Sequence, residues 1–225
     1  MPDRGSTCGL SDTMTKIFEK TENMEKRENL VNNKIVQILN KDGRVDYYGK
    51  IIIREKADLY FEKLVRNIVW KNDEITIFGK HIITKRKTAW YGDDNYLYTY
   101  SNITKQALSW TSELRDLKQL IEEITETKFN SCLLNLYHDG NESMGWHSDD
   151  EAMLKRNGTI SSLSLGAERI FSFKHKKTKQ IISIVLEHGS LLVMKDETQM
   201  HWLHSLPKVK KITMPRINLT FRNIM

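Results

Sequence analysis

Cysteine is nearly missing from this chain: Cys8 and Cys132 are the only two in 225 residues. Two thiols make no disulfide framework, so a reducing compartment is expected. No apolar run is long enough to span a bilayer, and the N-terminus is charged and polar, without an apolar signal region. The expectation is an intracellular protein without a membrane partner, in the nucleus if the source is eukaryotic. There is no internal repeat, no P-loop, no glycine-rich dinucleotide motif and no Cys-x-x-Cys. Phosphate-loop hydrolases, dinucleotide enzymes and thiol redox or zinc-ribbon modules are thereby set aside.

The length suits one domain with a sizeable core and an extra N-terminal segment. Lys+Arg 35 against Asp+Glu 29 leaves +6, a mild basic excess that permits nucleic-acid binding without requiring it. Residues 1–45 read as a polar, mobile tail, although Leu30, Ile35, Ile38 and Leu39 would suit a short amphipathic helix. Ile51-Ile52-Ile53 reads as a strand. Residues 56–70 and 108–127 carry apolar side chains at helical spacing. From Phe129 onward, short strands alternate with turns, and Ile181–Leu186 and Leu191–Met194 read as a hairpin. The expected division is 1–45 tail, 46–128 helices and hairpins, and 129–225 strand-built core, with 46–225 as one globular unit. Many short strands beside helices suggest an α+β barrel or sandwich.

The chemistry gathers at Trp146-His147-Ser148-Asp149-Asp150-Glu151. In an extended strand, His147 and Asp149 point to one face. That is two thirds of a site holding iron by two histidines and a carboxylate. Alone, such a pair is more often a solvated loop feature. His204 is the leading third ligand, with His201 competing. The end of the chain raises the case. Read as a strand, Arg216, Asn218, Thr220 and Arg222 share one face, and Ile217, Leu219 and Phe221 the other. Two guanidinium groups, an amide and a hydroxyl suit a small dicarboxylate.

Residues 74–83 read as a hairpin with Phe78-Gly79 near its tip. Lys85-Arg86-Lys87 follows, then Tyr91, Tyr96, Tyr98, Tyr100 and Ser101. Cations beside alternating aromatics suit nucleic acid; a tyrosine-rich strand packed on the core is the plainer reading.

Residues from about 75 to 222 resemble the AlkB family of Fe(II)- and 2-oxoglutarate-dependent dioxygenases. The matching stretches are Trp90-Tyr91-Gly92-Asp93, Tyr98-Thr99-Tyr100-Ser101, Phe129-Asn130, Asn135-Leu136-Tyr137, His147–Glu151, Ser164-Leu165-Gly166-Ala167, His188–Leu192, His204-Ser205-Leu206-Pro207 and Arg216–Arg222, in order and at matching spacing. The family's animal members that repair alkylated DNA look nearest. The resemblance implies a double-stranded β-helix, or jelly roll, with supporting helices and an N-terminal nucleotide-recognition hairpin region. It implies Fe(II) on His147, Asp149 and His204. It implies 2-oxoglutarate held by Arg216, with Arg222, Asn135, Tyr137 and Asn218 completing that pocket. The reaction would oxidise the N-methyl group of 1-methyladenine or 3-methylcytosine in DNA, releasing succinate, CO2 and formaldehyde. The flipped base would stack on Tyr100, with Tyr98 and Glu151 at its edge and Tyr91 and Ser101 nearby. Phe78 would wedge into the duplex, and Lys210 and Lys211 would touch the opposite strand. Val209 departs from that basic loop, which weakens the expected contact. Asn135-Leu136-Tyr137 and Trp146–Glu151 look more like a member preferring single strands. Double-stranded DNA is the favoured partner, single-stranded DNA and RNA stay open, and the chain is expected to act as a monomer.

Three other readings remain: a zinc hydrolase with Glu151 as base, a binding module without turnover, and the same oxygenase chemistry on RNA or protein. The first leaves Arg216 and Arg222 without a role. The intact ligand set argues against the second, and Phe78 with Lys85-Arg86-Lys87 favours nucleic acid in the third.

Overall fold

The computed structural model describes residues 35–225 apart from 78, 79, 101 and 102, and leaves aside the side chains of 75–77, 80–81, 98–100 and 103–105. The described residues all fall in one compact unit, Ile35–Met225. In chain order the elements are β1 (Val36–Leu39), β2 (Arg44–Lys50), α1 (Arg54–Asn67), β3 (Lys71–Ile77), β4 (Lys80–Gly92), β5 (Leu97–Tyr100), β6 (Ile103–Gln106), β7 (Leu108–Ser109), α2 (Ser112–Thr125), β8 (Ser131–Tyr137), β9 (Met144–His147), β10 (Ile160–Gly166), β11 (Arg169–His175), β12 (Ile181–Leu186), β13 (Ser190–Lys195), α3 (Thr198–His201), β14 (Trp202–Leu206) and β15 (Arg216–Arg222).

The large sheet runs β1-β2-β13-β10-β15-β8-β4-β3, with β7 beside β4; the small sheet runs β12-β11-β14-β9. Strands β5 and β6 form a separate ribbon. Antiparallel pairing within two opposed sheets is the jelly-roll arrangement. The central strands β8, β10, β13 and β15 are buried along nearly their whole length, because one face meets the helices and the other meets the small sheet. Behind the large sheet, Leu114, Leu117 and Ile121 of α2 and Ala57 and Leu64 of α1 pack on Leu134, Leu136, Ile217, Leu219 and Phe221. Thr111 caps α2, its Oγ1 accepting from the Leu114 N–H at 3.3 Å. Between the sheets, Tyr137, Phe171, Phe173, Leu192, Met194 and Leu206 form a second cluster.

Four expectations change. Residues 36–39 are a strand rather than a helix, and 36–45 are not tail, because β2 pairs with β13 inside the large sheet. The strand core therefore reaches back before residue 129. Ile51–Ile53 is not a strand; Ile52 is buried against the helices, which satisfies its apolar side chain without a ladder. Strands β12 and β13 are not a hairpin: β12 pairs with β11 and β13 with β10 and β2. Gly189, at φ +77°, sits in the turn where the chain changes sheet. Helix α1 starts two residues before the expected 56–70 and stops at Asn67, and α2 starts four residues after the expected 108, because Leu108 belongs to β7.

Candidate active site

Strands β9 and β14 are neighbours, and the pairing puts His147 directly across from His204. Their rings lie 4.2 Å apart between centroids. The His147 Nδ1–H donates to the Gly145 carbonyl at 2.8 Å, which leaves the Nε2 lone pair for a ligand. Asp149 lies just past the end of β9, not within it. Its backbone N–H donates to Gln199 Oε1 at 2.9 Å, and that bond turns the carboxylate inward. Asp149 Oδ1 is 3.7 Å from Nε2 of His147 and 3.7 Å from Nε2 of His204. Two donors on metal bonds of about 2.1 Å stand no more than about 4.2 Å apart, so the spacing fits one divalent ion. These are the only residues among those described that form such a cluster. His201 is outside it, stacked on His175 and beside Glu197.

The protonation states suit ligation. Burial, and then the neighbouring His204, lower the pKa of His147, so its imidazole is neutral near pH 7. Burial pushes the Asp149 carboxyl up, but the Arg222 guanidinium and the two imidazoles outweigh it and hold the group well below the usual carboxylate range. Arg222 donates to Asp149 Oδ2 at 2.7 Å.

Arg216 is fully buried and meets no carboxylate among the described residues. Its Nη2 donates to Ser164 Oγ at 2.9 Å and to Asn218 Oδ1 at 3.1 Å, and its Nε has no partner. Its guanidinium lies 5.6 Å from the Tyr137 ring centre. Burial pulls its pKa down to about 10. A buried cation without a counter-charge is costly, so the site is built for an anion. Asn135 Oδ1 is likewise buried and unpartnered. One cleft between the sheets is lined by Asn135, Tyr137, His147, Asp149, His204, Arg216, Asn218 and Arg222. All eight metal and cosubstrate residues expected from the sequence therefore come together there. A carboxylate for Arg216 and three donors on one side of an open position fit Fe(II) with 2-oxoglutarate.

A family model described as the 2OG-Fe(II) oxygenase superfamily matches residues 45–222. This chain is a 2OG-Fe(II) oxygenase. DNA oxidative demethylase ALKBH2 of Bos taurus is 37% identical over 189 residues, covering 79% of this chain and 68% of the relative. Alpha-ketoglutarate-dependent dioxygenase alkB homolog 3 of Bos taurus is 41% identical over 185 residues, covering 76% and 62%. These relatives place the oxygenase in the AlkB family. The solved structure of OsALKBH1 shares the fold, with a TM-score of 0.55 at 16% identity, covering 84% of this chain and 100% of that one. The family settles the zinc-hydrolase reading against hydrolysis: the oxygenase uses Fe(II) and 2-oxoglutarate.

The expected substrate residues divide. Glu151 stands beside the cleft with a buried, unpartnered Oε2, and burial raises its pKa. Lys210 and Lys211 are exposed in a turn. That turn is held by backbone bonds from Val209 N to Gly140 O and from Gly140 N to Ile212 O, each 2.8 Å; a Cβ on Gly140 would collide with Val209 O. Tyr91 is not a surface residue. It is 2% exposed in the core, and its hydroxyl accepts from the Val69 N–H. The basic cluster loses its middle member, because Arg86 is buried and paired with Asp73. Both corrections follow from cover on the two faces of β4: Arg86 lies on the face toward Met144 and Tyr137, and Tyr91, on the opposite face, joins the core under the helices. Phe78, Ser101 and the side chains of Tyr98 and Tyr100 lie outside the described residues. Gly145 and Gln199, which orient the ligands, carried no pattern in the sequence. Nor did Arg169, whose buried guanidinium donates to the carbonyls of Asp139, Glu142 and Pro207, joining the chain before β9 to the chain after β14.

Proposed function

We propose that this AlkB-family oxygenase demethylates N-alkylated bases in DNA, 1-methyladenine and 3-methylcytosine foremost; the relative named a DNA oxidative demethylase supports DNA as the substrate. The observation that carries the chemistry is one cleft uniting His147, Asp149 and His204 with a carboxylate-seeking Arg216. When bound, Fe(II) and 2-oxoglutarate supply the oxidation of the N-methyl carbon by dioxygen, with succinate, CO2 and formaldehyde as products. The chain's own part is holding and shielding. Arg216, Asn218 and Tyr137 would take the distal carboxylate, and Asn135 and Arg222 the end nearer the metal ligands. Leu133, Met144, Phe171, Met194 and Leu206 line the rest of the cleft and keep water from it. Glu151, whose pKa burial raises, would meet the base edge with Tyr98 and Tyr100. Lys210 and Lys211 would meet phosphates.

Double-stranded DNA is the favoured form, through Phe78 as wedge, and the setting would be the nucleus of a eukaryotic cell. No described helix is long and apolar enough to cross a membrane. The test is incubation with Fe(II), 2-oxoglutarate and methylated DNA and RNA oligonucleotides, followed by mass analysis. Loss of one methylene unit from DNA, with matching succinate, is expected. Succinate formed without any change in DNA would overturn the substrate; methyl loss confined to RNA would move it to that polymer.

A further inference from the structure

Trp146 differs from every other tryptophan in the chain. The indole N–H groups of Trp70, Trp90, Trp110 and Trp202 donate to Leu64 O, Ser131 Oγ, Asp93 Oδ1 and Lys41 O. Trp146 finds no acceptor among the described residues, and 40% of it is exposed. It stands one residue before the ligand His147, on β9 at the edge of the small sheet. Met144 and His147 both line the cleft across a register irregularity in β9, and Trp146, between them, turns to the outer face, where it meets Lys174. Beside it, a Cβ on Gly145 would meet nothing within 4 Å, so the strand is open to an approaching chain there.

The surroundings are cationic. Lys174, across the small sheet on β11, puts its Nζ 5.4 Å from the Trp146 ring centre. Lys176 Nζ donates to Ser148 Oγ at 3.2 Å and to Gln199 O at 2.8 Å, which brings a second ammonium against the ligand segment. Lys177 and Lys179 are exposed on the same turn. The anionic groups nearest in sequence are engaged: Asp149 with Arg222, Glu142 with His138, and Asp150 accepting from Ser148 Oγ. An exposed flat ring with ammonium groups beside it matches a nucleic-acid strand: ring against base, cation against phosphate.

We propose that Trp146 is a stacking platform for an unpaired base flanking the target nucleotide, with Lys174 and Lys176 against that strand's phosphates. The proposal rests on the reading of this chain as a nucleic-acid demethylase and deepens it toward strandedness. In a duplex, flanking bases stay stacked and paired, and their faces are closed to an outside ring. Trp146 therefore serves single strands alone.

Anisotropy of labelled, unmodified oligothymidylate and of an equal-length duplex, titrated with the full chain, tests this without any turnover. Failure here is thus separable from failure of the demethylase reading. Stacking contacts of this kind predict a roughly five- to hundredfold loss of single-strand affinity in Trp146→Ala, with duplex affinity unchanged. Trp146→Phe should keep most of the affinity. Trp146→Leu, which preserves an apolar side chain at the site, should lose it as Ala does. Lys174→Ala should flatten the salt dependence by about one phosphate contact. Melting temperature checks each fold, and if the alanine variant does not fold, the leucine and phenylalanine pair decides. An oligouridylate arm separates RNA from DNA use. Single-strand affinity unchanged in Trp146→Ala or Trp146→Leu, or an equal loss on single strand and duplex, overturns the proposal.

Discussion

Arg216 and Arg222 sit at the two ends of one strand face, and their partners separate their work. Arg222 meets Asp149 directly, so its charge is used within the protein. Arg216 meets only Ser164 and Asn218, so its charge awaits a ligand. That predicts an unusual stability pattern. Replacing a buried, uncompensated ion by an apolar group of similar volume is often neutral or stabilising. Arg216→Met should therefore melt no lower than wild type in the absence of 2-oxoglutarate. Wild type should gain stability as 2-oxoglutarate is added, and the variant should not. Calorimetry with and without the oxo acid measures both; an equal ligand-induced rise in the variant would remove Arg216 from the carboxylate site. Asp149 behaves differently, since its removal strips the only anionic ligand and leaves Arg222 unpaired. Asp149→Ala should abolish succinate release, and release at the wild-type rate would refute its role as a ligand.

At the scale of elements, β2 is joined to the edge of β13 by more than backbone bonds. Lys50 Nζ lies 2.9 Å from Glu187 Oε1, and the Tyr47 hydroxyl donates to Glu187 Oε2 at 3.0 Å. The Lys50 hydrogen bond lowers the Glu187 pKa; burial opposes it, and Tyr47 adds to the lowering. A carboxyl with a depressed folded pKa contributes stability above its unfolded value, and the contribution fades as pH falls through the folded one. Glu187→Gln should therefore melt slightly below wild type at pH 7, with the gap closing in acid, below pH about 4.3. The pair is solvent-facing, so the effect is modest, under about 1 kcal/mol. A gap that widened in acid would contradict the assignment. The same elements show where periodicity is a partial guide. The residue alternation of β15 was legible as written: Arg216, Asn218, Thr220 and Arg222 line the cleft, and Ile217, Leu219 and Phe221 enter the core. Val36–Leu39 was not legible, because a short apolar run fits either a helix or an edge strand until β2 is there to pair with it.

At the scale of the molecule, the question is which form of nucleic acid the cleft receives. Phe78 and Trp146 answer for opposite forms. If Phe78 acts as a wedge, Phe78→Ala should keep melting temperature and single-strand activity and lose duplex activity. If instead it is core, the change should destabilise by ~3–5 kcal/mol and depress both activities together. Parallel assays on methylated single and double strands decide, and equal loss on both rejects the wedge.

The sequence by itself determined the chemistry. Ligand identity depends on side-chain type, and His147, Asp149, His204, Arg216 and Arg222 are legible because donors and anion binders are few and their order along the chain is characteristic. It also determined the two faces of β15, since the period of two is local. Tertiary structure alone decided which of these residues are free to act. Arg86 is spent on Asp73 and Tyr91 on the core, while Trp146 is left outside with an unpaired indole. Those outcomes depend on what packs against each strand from elsewhere in the chain. Gln199 holds Asp149 from fifty residues away, and Arg169 fastens the chain before one ligand strand to the chain after the other. Neither is visible until the two sheets close, because contact across a sheet interface leaves no period in the chain.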